Sequence, residues 1–270
     1  MPELPEVETT VRGLSRYLQD RRIVRVSLHR EGLRRPFPPG LVQELTGARV
    51  TGLGRRAKYG LIHTDRGQTM VFHLGMSGKW RCEPASRDKH DHLELETDAG
   101  AVLALNDARR FGSVDLIRTD HLPEWPAFAA LGPEPLGDDL DPAYLARALK
   151  GRTGPIKPLL LDQRLVAGLG NIYVCEALHR SGIRPDRPAG SVSRRRLDRL
   201  VPAIKQVLNE SIAAGGSTIR DYAQPNGDLG YFAASWQVYG REAQPCGCGG
   251  AVRRMVQGGR STFWCPGCQN

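Results

Sequence analysis

The sequence predicts an α+β protein in three parts: a β-sandwich or barrel, a helical region, and a small cysteine-rich tail. Three observations carry this. Short β-like runs broken by glycines and charges fill residues 23–117. Helical spacing of apolar residues replaces them after about residue 142. Cys246, Cys248, Cys265 and Cys268 then crowd a tail with few apolar residues.

The first element is a helix. Behind MPELPEVETT, the residues Val7, Val11, Leu14 and Leu18 recur at helical spacing. Pro5 suits a first-turn position, and Glu6 and Glu8 complement the helix dipole. The β-like runs follow: Ile23–Leu28, Val50–Leu53, Leu61–Thr64, Thr69–Leu74, His92–Glu96, Val102–Leu105 and Ser113–Ile117. The stretch LGPEPLGDDLDP, Leu131–Pro142, reads as a linker rich in Pro, Gly and Asp. Helices are expected over Tyr144–Leu149, Ile156–Leu161, Ile172–Arg180 and Leu197–Ala213. Asn171 is the expected N-cap of the third, Gly182 ends it, and Pro202 falls in the first turn of the last.

Composition narrows the class. The 270 residues suit two compact domains, and 40% hydrophobic residues exclude a disordered chain. A net charge of +9 favours a polyanion, nucleic acid before an anionic membrane surface. No apolar run approaches the roughly 20 residues of a spanning helix, and the acidic start lacks the pattern of a signal peptide. The expectation is therefore a cytoplasmic protein whose six cysteines serve a metal rather than disulfides.

Several stretches bear chemistry. CPGC at Cys265–Cys268 is an ordinary half of a zinc site, whereas Cys246 and Cys248 have one residue between them where two to four are usual. A thirty-residue tail needs some staple, which favours a metal over idle thiols. Cys82 and Cys175 sit in apolar contexts and read as small buried side chains. GLGNIY turns into a helix whose N-terminus suits a phosphate, though such turns are more often structural. GRRAKYG offers Arg55, Arg56 and Lys58; DARRFG offers Arg109, Arg110 and Phe111; HLGMSGKW offers Met76. Cations beside an aromatic and a thioether suit phosphate neutralisation plus an apolar wedge between bases. Arg194–Arg196 reads as a solvated helix start. His90 and His92 share a strand face without a third ligand, which argues against a metal there.

The first residues pose a chemical question. Removal of the initiator Met would leave a secondary amine at Pro2. A terminal amine has a pKa of about 7.7–8.0 against about 10.4 for Lys, so far more of it is free base near neutrality. Such an amine can attack an anomeric carbon and form an iminium. Glu3 stands beside it as a proton shuttle.

PELPEVE, RRAKY, HLGMSG, KHDH, RRFG, LGPEPL, GLGNIY, GGSTIRDY, GYF, VYGR and GGRSTFWCPGCQ, in this order and across essentially the whole chain, resemble the bacterial formamidopyrimidine-DNA glycosylases. The sibling endonuclease VIII branch usually opens with PEGPE, and Leu4 stands here at that Gly. The resemblance implies a two-layered β-sandwich with flanking helices over 1–131, a linker and helix–two-turns–helix domain over 132–240, and a zinc β-hairpin over 241–270. It implies double-stranded damaged DNA as partner, no membrane, one structural Zn2+, and a monomer. One departure is the single residue between Cys246 and Cys248, where the family usually has two.

Roles follow from the same resemblance. Pro2 would be the Schiff-base nucleophile and Glu3 the general acid. Lys58 and Arg260 would assist the eliminations and bind phosphate. His73, His90, Arg109, Arg152 and Asn171 would contact DNA, and Met76, Arg109 and Phe111 would fill the gap left by an extruded nucleotide. Glu6, Thr218, Ile219, Arg220 and Tyr222 would line the lesion pocket, and the four tail cysteines would hold the metal. The implied activity is excision of oxidised purines followed by β,δ-elimination. Two alternatives stand beside it: an endonuclease VIII-like enzyme for oxidised pyrimidines, and a non-catalytic zinc-finger protein that binds damaged DNA.

Overall fold

A computed structural model of the chain describes residues 2–217 and 230–270. The described residues form two units, Met1–Ala129 with Ile212–Ala233, and Ala130–Ser211 with Ala234–Asn270.

The first unit begins with α1 (Leu4–Leu18), whose Val7, Val11, Leu14 and Leu18 are all buried, as their spacing requires. Next come β1 (Ile23–Leu28), α2 (Leu41–Leu45), β2 (Val50–Arg56), β3 (Tyr59–Thr64), β4 (Gln68–His73), β5 (Lys79–Cys82), β6 (Asp91–Thr97), β7 (Val102–Asn106) and β8 (Ser113–Arg118). A short α3 (Pro126–Ala129) follows. The strands make two antiparallel sheets, ordered β1-β6-β7-β5 and β2-β3-β4-β8. They are the two layers of a sandwich. Val26, Leu93, Leu95, Leu103 and Trp80 of one sheet share a core with Val50, Ile62, Met70 and Phe72 of the other. Trp80 meets Phe72 edge to face, with ring centroids 5.6 Å apart. α1 covers this core beside β2 and β3.

Every expected β-run is a strand, but β5 was not anticipated. KWRC is four residues long and follows directly on the HLGMSG turn. Its inward residue Trp80 is 1% exposed, so tertiary burial decides its conformation.

The second unit holds α4 (Pro142–Leu149), α5 (Ile156–Leu160), α6 (Asn171–Arg180) and α7 (Arg194–Ala213), whose last two residues belong to the first unit. Two expectations need correction. Asn171 is not the N-cap of α6: Gly170 holds that position and Asn171 is the first helical residue. Pro202 does not lie in the first turn of α7, because the helix starts at Arg194 and runs through it. Pro202 lacks the N–H that would bond the Asp198 carbonyl. Asp198 is exposed, and the helix continues through Pro202.

The tail forms the hairpin β9 (Arg253–Gln257) and β10 (Arg260–Trp264), in register from Arg260–Gln257 to Trp264–Arg253. Its two-residue turn, Gly258–Gly259, has φ of 54° and 72°, the left-handed pair a tight hairpin needs. Its small core is Cys246, Val252 and Cys265 with Cys175 and Val238.

Candidate functional site

On the first unit the site grows from the start of α1. Glu3 is the N-cap, and with Glu6 it makes a capping box: each carboxylate accepts the other residue's backbone N–H. Glu6 Oε2 takes the Glu3 N–H at 2.8 Å, and Glu6 Oε1 takes the Ser217 N–H at 2.9 Å. Both carboxylates are 2% exposed. Pro2 is buried ahead of them, at the positive end of the helix dipole. The pocket expected of Glu6 is thus tied to Ser217; Thr218, Ile219, Arg220 and Tyr222, expected to line it, lie outside the described residues.

Lys58 comes from the β2–β3 turn. Ala57, just before it, holds φ of 52°, a left-handed backbone that is costly for alanine. Arg55 sets the turn by donating to the Ala57 carbonyl at 2.9 Å and to Glu8 of α1 at 3.0 Å. Lys58 is 9% exposed, and its positive charge acts on the His73 ring. Burial first, then the Lys58 and Arg34 cations, push the His73 imidazole down to about 4. Gly75 N–H donates to His73 Nδ1 at 3.0 Å, so the proton of the neutral ring sits on Nε2. His73 therefore presents a donor rather than a charge.

Met76, Arg109 and Phe111 stand on two loops locked together. The buried Asp107 carboxylate accepts the Ser77 hydroxyl at 2.7 Å and the Gly112 N–H at 2.8 Å. Ser77 in turn accepts the Arg109 N–H at 3.1 Å. A side chain at Gly75 would meet the Phe111 carbonyl carbon at 2.3 Å, and Gly75 has φ of 61°, so only glycine allows this approach. Arg110 is left-handed as well, with φ of 58°. The result is an exposed pair: Phe111 is 48% exposed and the Arg109 guanidinium lies 4.8 Å from its ring centre. His90 is half-buried just before β6, and its carbonyl accepts the Asp107 N–H at 3.0 Å. His92 donates its Nε2 proton to the Asp107 carbonyl oxygen at 3.0 Å.

The second unit carries Arg152, Asn171, Arg260 and the cysteines. Arg152 and Arg260 are exposed, Arg260 at the start of β10 beside the glycine turn. Asn171 is engaged on both ends of its carboxamide. Oδ1 accepts from Lys157 Nζ at 2.6 Å, and Nδ2 donates to the Ser261 carbonyl at 2.9 Å. Lys157, 0% exposed, also donates to Thr262 Oγ1 at 2.7 Å. Asn171 and Lys157 together moor the hairpin to α5 and α6.

The four cysteine sulfurs lie within 4.8 Å of one another. Cys246 and Cys268 are 3.6 Å apart, and Cys248 and Cys265 3.5 Å. A tetrahedral ion with Zn–S bonds of about 2.3 Å needs sulfurs about 3.8 Å apart, so the set fits zinc despite the short Cys246–Cys248 spacer. The Gly250 N–H, first among its neighbours, pulls the Cys248 thiol down to about 7, whereas burial pushes the Cys265 and Cys268 thiols up. Cys175 is buried as expected, and Cys82 is half-buried.

Sequence reasoning missed Lys157, Asp107, Glu176 and His179. Glu176, 0% exposed, accepts the N–H groups of Gln237, Val238 and Tyr239 at 2.9, 3.0 and 2.9 Å. A charged residue inside an apolar helical run was the available signal for Lys157 and Glu176. Nothing local marks Asp107 or His179.

Comparison with known proteins agrees with this layout. Residues 1–114 match the formamidopyrimidine-DNA glycosylase N-terminal domain, and residues 131–223 its H2TH domain. Formamidopyrimidine-DNA glycosylases of Novosphingobium aromaticivorans and Zymomonas mobilis are 69% and 49% identical, each over 100% of both chains. The Lactococcus lactis Fpg in complex with an abasic-site DNA superposes with a TM-score of 0.92 at 36% identity, covering 100% of both chains. The Thermus thermophilus protein gives 0.88 at 40% identity, over 99% of this chain and 98% of that one. With both domain models and full-length relatives agreeing, the chain belongs to the formamidopyrimidine-DNA glycosylase family.

Proposed function

We propose that this chain excises oxidised purines, 8-oxoguanine and formamidopyrimidines, from double-stranded DNA, then cuts the strand by β- and δ-elimination. The carrying observation is Pro2, buried at the head of α1 beside Glu3, in a chain that matches the family from end to end. Named relatives of one activity over full length, and L. lactis Fpg complexes with Fapy-dG-type DNA, favour a repair glycosylase over a silent DNA binder.

The residues suit the steps. Lysines and arginines neutralise phosphates, and the Arg109–Phe111 pair with Met76 enters the stack, because an intrahelical sugar cannot be reached. With its terminus free, the Pro2 nitrogen bonds to C1′. The glycosidic bond breaks, and Glu3 relays the protons that the departing base and opening sugar take up. The iminium acidifies the C2′ proton. Loss of that proton expels the 3′ phosphate, and a second elimination expels the 5′ phosphate. Lys58, on the turn that Arg55 holds and with its charge acting on His73, is suited to grip phosphate near the lesion. Arg260, Arg152, Asn171 and His90 serve the DNA backbone. The four cysteines hold one zinc that shapes the hairpin. The enzyme acts as a monomer in the cytoplasm; among the described residues no helix is long and apolar enough to cross a membrane.

Two measurements test this reading. Single-turnover assays should show fast excision from 8-oxoguanine duplexes and slow excision from thymine glycol duplexes. The reverse order selects the endonuclease VIII-like reading, and no excision of either selects the silent binder. The second concerns the opposite base. Arg109 carries donors only, in a planar fork that lies 4.8 Å from the centre of the Phe111 ring. Cytosine offers two adjacent acceptors, O2 and N3; adenine offers N1 beside a donor. Loss of one such bidentate contact costs about 1–3 kcal/mol, roughly tenfold or more. Excision of 8-oxoguanine should be faster opposite C than opposite A, and Arg109→Ala should erase the difference. An unchanged ratio removes Arg109 from this role.

A further inference from the structure

One cysteine of the cluster meets a side-chain donor from outside the tail. In a two-residue spacer the chain turns back, so that backbone N–H groups two and three residues on face the first sulfur. The Cys265–Cys268 half does this: the N–H groups of Gly267 and Cys268 both serve Cys265 Sγ. The first half, with a single residue between its ligands, also turns back, Gly249 N–H donating to the Cys246 carbonyl at 2.9 Å, and its Gly250 N–H serves Cys248 Sγ. Cys246, which opens the short half, meets a different donor. His179, in the last turn of α6, places Nε2 3.4 Å from Cys246 Sγ.

The ring's other nitrogen fixes the proton. His179 Nδ1 is buried with no hydrogen-bond partner among the described residues. A proton there would be a stranded donor, whereas a proton on Nε2 meets a sulfur acceptor. The placement is built rather than incidental. Asn171, Cys175 and His179 are spaced i, i+4, i+8 and so share one face of α6. Asn171 binds the Ser261 carbonyl of the hairpin, Cys175 packs in the core with Cys246 and Cys265, and His179 ends the row at Cys246.

We propose that His179 is a positioning residue of the metal centre: its Nε2–H donates to the Cys246 thiolate from a neighbouring helix. This rests on the reading of the cluster as a zinc site. Four thiolates around one dication carry a net charge of −2, so each N–H aimed at a sulfur lowers its basicity and slows its protonation and loss.

The test compares the full-length wild type with His179→Phe, which keeps ring bulk without a donor, and His179→Gln, whose Nε2 reaches the same place. Zinc content is measured by elemental analysis, release by transfer to a chromogenic chelator, and sulfur donor strength by the thiolate-to-metal band of the cobalt(II)-substituted proteins. His179→Phe should release zinc about 10-fold or more faster and shift the cobalt band to longer wavelength. His179→Gln should restore both. A His179→Phe protein with wild-type release and band, or a His179→Gln protein as impaired as His179→Phe, overturns the proposal. Wild type without zinc overturns the zinc reading itself, and the proposal with it.

Discussion

Leaving a tag uncleaved ahead of Pro2 abolishes base excision and strand cleavage, and leaves duplex binding in place. An acylated proline nitrogen has no basic lone pair to offer C1′, whatever the rest of the site does. The basic side chains proposed to hold the duplex are untouched by the tag. Glu3→Gln separates the proton from the scaffold. Glu3 is the N-cap of α1, and its carboxylate accepts the Glu6 N–H. Glutamine keeps an acceptor oxygen for that bond but cannot relay a proton. A lost general acid–base step costs about 10²–10⁴-fold. Excision should fall by that range while thermal stability changes little, since the capping bond survives. Normal excision by the tagged protein would remove the amine from the mechanism. Unfolding of Glu3→Gln would make Glu3 a structural cap only.

Metal removal should have an effect of similar size by a different route. The hairpin carries Arg253, Arg254 and Arg260 on two five-residue strands. Its apolar support is small: Val252, Trp264, Cys246 and Cys265, packed with Cys175 and Val238. A two-stranded hairpin with so little core is not stable alone. Structural zinc supplies apparent binding energies of about 10–16 kcal/mol in small zinc modules, so the metal should dominate its folding. A chelator strong enough to strip the protein should melt residues 246–268 while the sandwich stays folded. Amide exchange would read this as lost protection confined to the tail. Duplex affinity should fall about tenfold or more, because one lost charge-assisted phosphate contact is worth about 1.5–3 kcal/mol. Full tail protection in the stripped protein would assign the hairpin's stability to Lys157, Asn171 and Glu176 rather than to a metal.

Local pattern explains what was legible in the sequence. α1 and α4 to α7 follow helical apolar spacing, with their spaced apolar residues mostly buried, and the longer strands show as short apolar runs between glycines and charges. The failures are places where a distant partner decides. Asn171 looks like a cap because Asn often is one. Its carboxamide instead serves Lys157 and Ser261, 14 and 90 residues away. Asp107 reads as a turn residue, and only the fold shows it bound to Ser77, 30 residues back, so that Met76, Arg109 and Phe111 stand on coupled loops. β5 is too short to show alternation, and Trp80 is placed by Phe72 of the other sheet. The candidate chemistry was legible because it rests on residue identity at the start of the chain and on cysteine spacing. Its supporting contacts were not, because they join segments with no common period.

The central claim is that the nitrogen of Pro2 is the nucleophile toward an oxidised purine nucleotide. Borohydride reduction of the enzyme on an 8-oxoguanine duplex, followed by proteolysis and mass mapping of the cross-link, tests it most directly. The account predicts a covalent adduct on the N-terminal peptide, with the sugar remnant at Pro2. An adduct mapped to Lys58 or any other lysine, or excision without any trapped adduct, would contradict it.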